Sequence, residues 1–306
     1  MTDQMHVIVV MAPSGALVNR VLIENAVSAV QGQVVEAHRV AVPVSLADHR
    51  EVVKFLIDCP DPEKLSAQLR QLSDGHGADI ALQSRLSRCR PYGLAVFDMD
   101  STLISCEVID ELARVAGVGA EVAEITDRAM RGELDFDESF RTRLALLEGL
   151  DAGAVDELAD QLPVQSGLSE MATTLKARGL KLAIFSGGFI PIAERLKNDY
   201  GFDHVVANEL EIRGGKVTGK VVPPIVNREY KAEALGALAS RLGIHTEHCI
   251  AVGDGANDLS MMALAGLGVA FHAKPAVRAA SPIEITHIGL DGVCYLMGHE
   301  GEFAAA

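Results

Sequence analysis

The sequence predicts a two-part α/β protein: a doubly wound parallel sheet with a helical cap, preceded by a smaller ferredoxin-like α+β domain. Three observations carry that expectation. The chain has 306 residues, more than one hydrophobic core usually holds. Residues 1–85 run strand, helix, strand, strand, helix, strand, the order of a ferredoxin-like module. From Leu94 onward short apolar strands alternate with helical stretches, as in a parallel sheet covered on both faces.

In the first domain, His6 to Met11 reads as a strand. Residues 17–31 read as a helix, with Val18, Leu22, Ala26 and Ala29 at helical spacing and Gly32 as its stop. Gln33 to Val42 and Glu51 to Asp58 follow as strands. The second places Val53, Phe55 and Ile57 on one face and Lys54 and Asp58 on the other. Asp61 and Pro62 cap and start a helix bearing Leu65, Leu69 and Leu72, and Ala78 to Ser84 is the last strand. The pattern resembles the ACT-type domains that precede many metabolic enzymes, which implies regulation or the pairing of two chains as a homodimer. Arg85 to Tyr92 holds three arginines without apolar periodicity and reads as a linker.

Lys and Arg total 27 against 42 Asp and Glu, a net charge of -15 that repels nucleic acid and anionic membranes. A phosphate-bearing substrate then needs local positive charge. No apolar run approaches the ~20 residues of a membrane-spanning helix, and Met1 to Gln4 offers no basic start to a leader. The expectation is a cytoplasmic protein. Cys59, Cys89, Cys106, Cys249 and Cys294 form no CxxC pair, so reduced thiols are expected rather than disulfides or zinc.

The second domain, 86–306, offers strands at Leu94 to Asp98, Lys181 to Ser186, Cys249 to Asp254 and Gly268 to Phe271. The polar helical stretch of about 107–162 is too long for one crossover helix and reads as a cap. The first strand ends in Asp98 and Asp100, the third in Asp254 of the run Gly253-Asp254-Gly255-Ala256-Asn257-Asp258. Strand ends are where open α/β sheets bind ligands. If these strands are neighbours, three carboxylates converge and require a cation, and hard oxygen ligands select Mg²⁺. A dinucleotide fingerprint beginning at Gly253 fails, because Asp258 stands where its third glycine belongs. Ser186-Gly187-Gly188 is either a phosphate cradle of hydroxyl and backbone N–H groups or a plain strand-to-helix turn. Lys231 starts a helical run with Leu235, Leu238 and Leu242, where alone it would be a surface residue.

Together, FDMDSTLISCEVIDELA, AIFSGGF, the lysine and VGDGANDLSM resemble the four motifs of the haloacid dehalogenase-like hydrolases, in order and context, over about Leu94 to Leu290. Within that family the resemblance is strongest to members that hydrolyse O-phospho-L-serine, the last step of serine biosynthesis. It implies Asp98 as nucleophile, Asp100 as general acid and base, and Mg²⁺ held by Asp98, Asp254 and the Asp100 carbonyl. Ser186, the Gly187 backbone and Lys231 would hold the phosphoryl oxygens, and Asn257 and Asp258 would orient the site. In the cap, Glu107 suits a substrate ammonium and Arg143 a substrate carboxylate, while Met130 and Phe136 could cover the site. Their rival roles are a favoured helix start, a solvated helix face and cap core. Two other functions remain open: a phosphotransferase or phosphatase for another small ester, and an amino-acid-binding regulator with an inactive catalytic domain. A halide-releasing enzyme has no need of Asp100, and a cation pump needs membrane helices.

Overall fold

The computed structural model describes residues 5–16, 18–47, 49–131, 133–298 and 303, apart from the side chain of Met130. Its first sheet is built from β1 (Met5–Pro13), β2 (Gln33–Arg39), β3 (Arg50–Asp58) and β4 (Asp79–Ser84), crossed by α1 (Arg20–Ala29) and α2 (Pro62–His76). The strands lie in the order β2-β3-β1-β4, every neighbouring pair antiparallel, as expected of a ferredoxin-like arrangement. Both helices have the start their sequence encodes. Asn19 accepts the N–H of Leu22, Asp61 accepts that of Lys64, and α2 ends on Gly77 at φ 66°. Leu17, where the first helix was expected to begin, lies outside the described residues.

This sheet is buried on both faces. Ile8, Val10, Phe55 and Ile57 pack on Ile23 and Val27 of α1 and Leu65 and Leu69 of α2. Val7, Val9, Met11, Val52 and Leu56 join the core of the second part of the chain. The face that carries Lys54 is covered as well, and Lys54 is 5% exposed.

The expected linker is instead partly helical. Here α3 (Arg85–Arg88) is capped by the Ser84 hydroxyl, which accepts the N–H of Ser87. Arg88 is buried and donates to Gln83 Oε1 and to the carbonyls of Tyr295, Leu296 and Met297. Its fixed fork of donors matches those acceptors, so the segment is tied down rather than free. Asp79 makes a second tie, accepting the N–H groups of Thr286, His287 and Ile288 at 2.6 to 3.2 Å.

The second sheet begins with β5 (Leu94–Phe97), followed by four short helices, α4 (Val108–Ala116), α5 (Gly119–Met130), α6 (Phe136–Ala145) and α7 (Gly153–Ala159). The chain continues through α8 (Leu168–Ala177), β6 (Lys181–Phe189), α9 (Ile190–Tyr200), β7 (His204–Arg213), β8 (Lys216–Val222) and α10 (Arg228–Arg241). It finishes with β9 (Cys249–Gly253), α11 (Leu259–Leu264), β10 (Leu267–Phe271), α12 (Pro275–Ala280), β11 (Glu284–Ile285) and α13 (Gly292–Leu296). Strand order is β11-β10-β9-β5-β6-β7-β8, parallel except for the antiparallel β8. Alternation along β5 explains its central place: Leu94 and Val96 face one core, Ala95 and Phe97 the other. The hairpin β7–β8 was not expected. Its turn uses Gly214 at φ 57° and Gly215 at φ 75°, the positive pair that a two-residue hairpin turn requires. No helix among the described residues is long and apolar enough to cross a membrane.

Candidate active site

Strand order reverses beside β5, with β6 on one side and β9 on the other, and open α/β sheets bind ligands at that point. Asp98 and Asp100 follow β5, and Asp254 follows β9. The Asp98 N–H donates to Val252 O, which locks the two strand ends together. Beyond Asp98 the chain turns tightly, with the N–H groups of Thr102, Leu103 and Ile104 all directed at Met99 O. Ser101 takes φ 58°, a left-handed conformation uncommon for a residue with a side chain. Its hydroxyl donates to Glu107 Oε1 at 2.8 Å, and Thr102 donates to Asp254 Oδ1 at 3.2 Å. Both residues stand inside the first motif, yet neither role is legible there, because only the turn decides where the hydroxyls point.

Lys231 reaches this centre from α10 with no exposed surface. Its Nζ lies 2.7 Å from Asp98 Oδ1 and 2.7 Å from Asp258 Oδ1. The other Asp258 oxygen accepts the Gly255 N–H at 3.0 Å, so this carboxylate is engaged on both sides as an orienting group. A Cβ on Gly253 would lie 2.4 Å from the Asp258 carboxyl, so glycine is required for that approach. Ser186 is buried on β6 and directs its hydroxyl at Asp100 Oδ2, 3.5 Å away. The strand continues through Gly187 and Gly188 to Phe189, past the expected end at Ser186.

The cap closes over this floor. A cavity of 710 Å³ is lined by Asp98, Asp100, Gly187, Asp254 and Asn257 below, and by Glu107, Asp110, Phe136 and Arg143 above. Phe136 stacks on Phe140 with centroids 6.3 Å apart and covers Gly187. Glu107 occupies the N-cap of α4 but makes no side-chain cap bond; it takes the Ser101 hydroxyl instead. Arg143 is half-buried and makes long contacts to Ser139 O at 3.4 Å and Thr126 Oγ1 at 3.5 Å. Burial lowers its guanidinium from the ordinary value, with Asp110, Glu107 and Asp100 opposing that shift. Met130 ends α5, and its side chain lies outside the described residues.

Charge is unbalanced at the floor. Burial, then Asp258, raises Asp98 well above the ordinary carboxylate range. Asp100 is pushed up to about 8, first by burial and then by Glu107, and Asp254 up to about 7, first by burial and then by Asp258. Burial disfavours the Lys231 ammonium, but Asp258 and Asp98 outweigh it and hold its pKa above the usual value. Lys231, with the more distant Lys274 acting on Asp254, does not offset four neighbouring acids. Oxygens of Asp98, Asp254 and Asp258 lie within 4.8 Å of one another, a donor set that fits a divalent cation. The Asp100 carboxylate is outside that group; it accepts the Val108 N–H at 3.0 Å instead.

Comparison with known proteins agrees with this geometry. Residues 95–263, more than half of the chain, match the haloacid dehalogenase-like hydrolases. Phosphoserine phosphatase SerB2 of Mycobacterium tuberculosis is 45% identical over 79% of this chain, which spans 59% of that relative's length. The solved structure of a probable phosphoserine phosphatase from Vibrio cholerae, unliganded, superposes with TM-score 0.75 at 34% identity, covering 96% of this chain and 86% of that one. A phospho-aspartyl intermediate analogue of phosphoserine phosphatase superposes with TM-score 0.64 at 40% identity, covering 68% of this chain and 99% of its own. In sequence, in strand order and in the acids gathered at its sheet's switch point, the chain belongs to the haloacid dehalogenase-like hydrolases.

Proposed function

We propose that this chain hydrolyses O-phospho-L-serine to L-serine and phosphate through an aspartyl-phosphate on Asp98, with Mg²⁺ as its cation, in the cytoplasm. The carrying observation is that one cavity holds two chemically distinct sets. Asp98 and Asp100 line its floor, backed from below by the buried Ser186 and Lys231, while Glu107 and Arg143 stand in its cap with opposite charges. The first set suits a phosphoryl group, the second an ammonium and a carboxylate.

Asp98 attacks phosphorus and the bond to the serine oxygen breaks, which splits one displacement into two easier ones. Asp100, pushed up to about 8, carries a proton at neutral pH and gives it to the leaving serine oxygen. Ionised, it then takes a proton from the water that attacks the aspartyl-phosphate, and phosphate leaves with Asp98 restored. Lys231 occupies Asp98 Oδ1 and leaves the other oxygen for attack, while its charge offsets that of the phosphoryl oxygens. Asp98 and Asp254, with the Asp100 carbonyl, would hold Mg²⁺, which when bound offsets further negative charge. Pairing of two chains through the first sheet also belongs to this proposal, supported by the exposed Val35 on its outer strand β2.

Phosphate release should be measured from O-phospho-L-serine and a panel of other small phosphate esters, with Mg²⁺ and with EDTA. O-phospho-L-serine should have the highest kcat/KM, EDTA should stop turnover, and Asp98→Asn should be inactive but folded. Preference for an ester lacking the amino acid head, or turnover by Asp98→Asn, would sink the proposal.

A further inference from the structure

Strands β6 and β7 do not keep step at the site. Phe185 pairs with Val206 and Phe189 with Asn208, so Ser186, Gly187 and Gly188 stand opposite Ala207 alone. The two extra residues bulge out of the ladder, which re-aims side chains but takes backbone groups from their partners. The Asn208 side chain fills that gap. Its Nδ2 donates to Gly187 O at 2.7 Å, and its Oδ1 accepts the Val226 N–H at 2.8 Å. Asn208 has no exposed surface, so both bonds are made away from water.

The consequence follows from the planar peptide. In a trans peptide the C=O and N–H point opposite ways. With its carbonyl held by Asn208, the Gly187–Gly188 peptide must turn the Gly188 N–H toward Ser186 Oγ, where it donates at 2.8 Å. One lone pair of the Ser186 oxygen is thereby occupied from behind, which leaves its O–H directed at Asp100 Oδ2 on the site side. On the other side, Val226 immediately precedes Asn227, whose side chain caps the helix carrying Lys231 by accepting the Tyr230 N–H at 3.0 Å. One buried amide therefore spans the Ser186 loop and the approach to the Lys231 helix.

We propose that Asn208 is a positioning residue for phosphate recognition: its amide fixes the orientation of the Ser186–Gly188 loop and ties that loop to the start of α10. The inference rests on Ser186, Gly187 and Lys231 being the groups that hold phosphate. Asn208 touches no substrate itself; it acts through the Gly187 peptide.

Binding of inorganic phosphate, with Mg²⁺ present, is the readout, because a dissociation constant does not depend on how much of a preparation is folded. Calorimetric titrations should compare the wild type with Asn208→Ala and Asn208→Asp, alongside their melting temperatures. An Asp keeps the shape and the acceptor for Val226 and, in titrations run at a pH high enough to ionise this buried carboxyl, cannot donate to Gly187 O. Both variants should bind phosphate about tenfold or more weakly, a loss of ~1.4 kcal/mol. Where Asn208→Ala fails to fold, the near-isosteric Asn208→Asp decides. Lower melting temperatures with unchanged phosphate affinity would overturn the proposal and leave Asn208 a structural residue. Absence of phosphate binding by the wild type would instead overturn the phosphatase reading, and this inference with it.

Discussion

Gly188→Ala adds one methyl group where three side chains meet, two of them functional. The new Cβ would lie 2.6 Å from Asp100 Oδ2, 2.6 Å from Met99 Cε and 3.1 Å from Ser186 Oγ. Comfortable contacts are roughly 3.5 Å, so the carboxylate of Asp100 must retreat by about 0.5 to 1 Å. Met99 can swing its terminal methyl aside, whereas Asp100 is held on its other oxygen by the Val108 N–H at 3.0 Å. Displacing a reacting group by ~1 Å costs about 100-fold in rate. The expectation is therefore a kcat lower by about 10-fold to 100-fold, with ~1 to 3 kcal/mol lost in stability through overpacking. Gly236→Ala, in the middle of α10 and outside the cavity lining, is the internal control. Its Cβ would meet only Leu264 Cδ2 at 4.0 Å, an ordinary contact, so kcat should stay within about threefold of wild type. Steady-state phosphate release and thermal melts on all three proteins make the comparison. Wild-type kcat in a folded Gly188→Ala, or equal losses at both glycines, would refute this account of the floor.

Arg143→Ala should lower kcat/KM for O-phospho-L-serine by roughly 30-fold to 1000-fold, the worth of a shielded bidentate contact, and Glu107→Gln should act in the same direction. Neither should much change turnover of p-nitrophenyl phosphate; equal losses on both substrates would assign the two residues to the cap's structure. Mg²⁺ affinity should rise from about pH 6 to about pH 8, because Asp254, pushed up to about 7, holds a proton that competes with the cation below that value. Calorimetry in buffers of different ionisation enthalpy should detect the released proton, and pH-independent affinity would contradict the assignment. Asp79→Ala strands the buried N–H of Ile288 and the partly buried N–H groups of Thr286 and His287 and should cost about 2 to 5 kcal/mol in denaturant unfolding, with kcat/KM unchanged. A stability change under about 0.5 kcal/mol would show that water replaces the carboxylate.

The parts of the site that sequence exposed are those whose backbone pattern and chemistry coincide. Leu94 to Phe97 and Cys249 to Gly253 are short apolar runs ended by acids, and two such strands in a parallel sheet bring Asp98 and Asp254 together. Lys231 became legible from its motif neighbours and not from its own helix, where a lysine ordinarily faces solvent. What stayed hidden depends on tertiary contact. Alternation around Lys54 reads the same whether its face meets water or another core, and Arg88 lies in a segment without periodicity because its partners are carbonyls some 200 residues away. Asn208 carries no motif, since a strand asparagine gains its role from a bulge on the neighbouring strand. The hairpin around Gly214 and Gly215 did leave a signal, the adjacent glycines at its turn, although its strands lack the continuous apolar run of the buried parallel ones.

The covering of the first sheet on both faces bears on how the chain comes apart. Val7, Val9, Met11, Val52 and Leu56 share one apolar cluster with Phe97, Leu182 and Leu296, so opening that contact wets both halves at once. Cooperativity follows contiguous burial, and the weakest units of a structure are those with few apolar contacts across their boundary. The two sheets should therefore melt in a single calorimetric transition. Amide protons of β1 should exchange on the same slow timescale as those of β5, through whole-molecule unfolding rather than release of an N-terminal lobe.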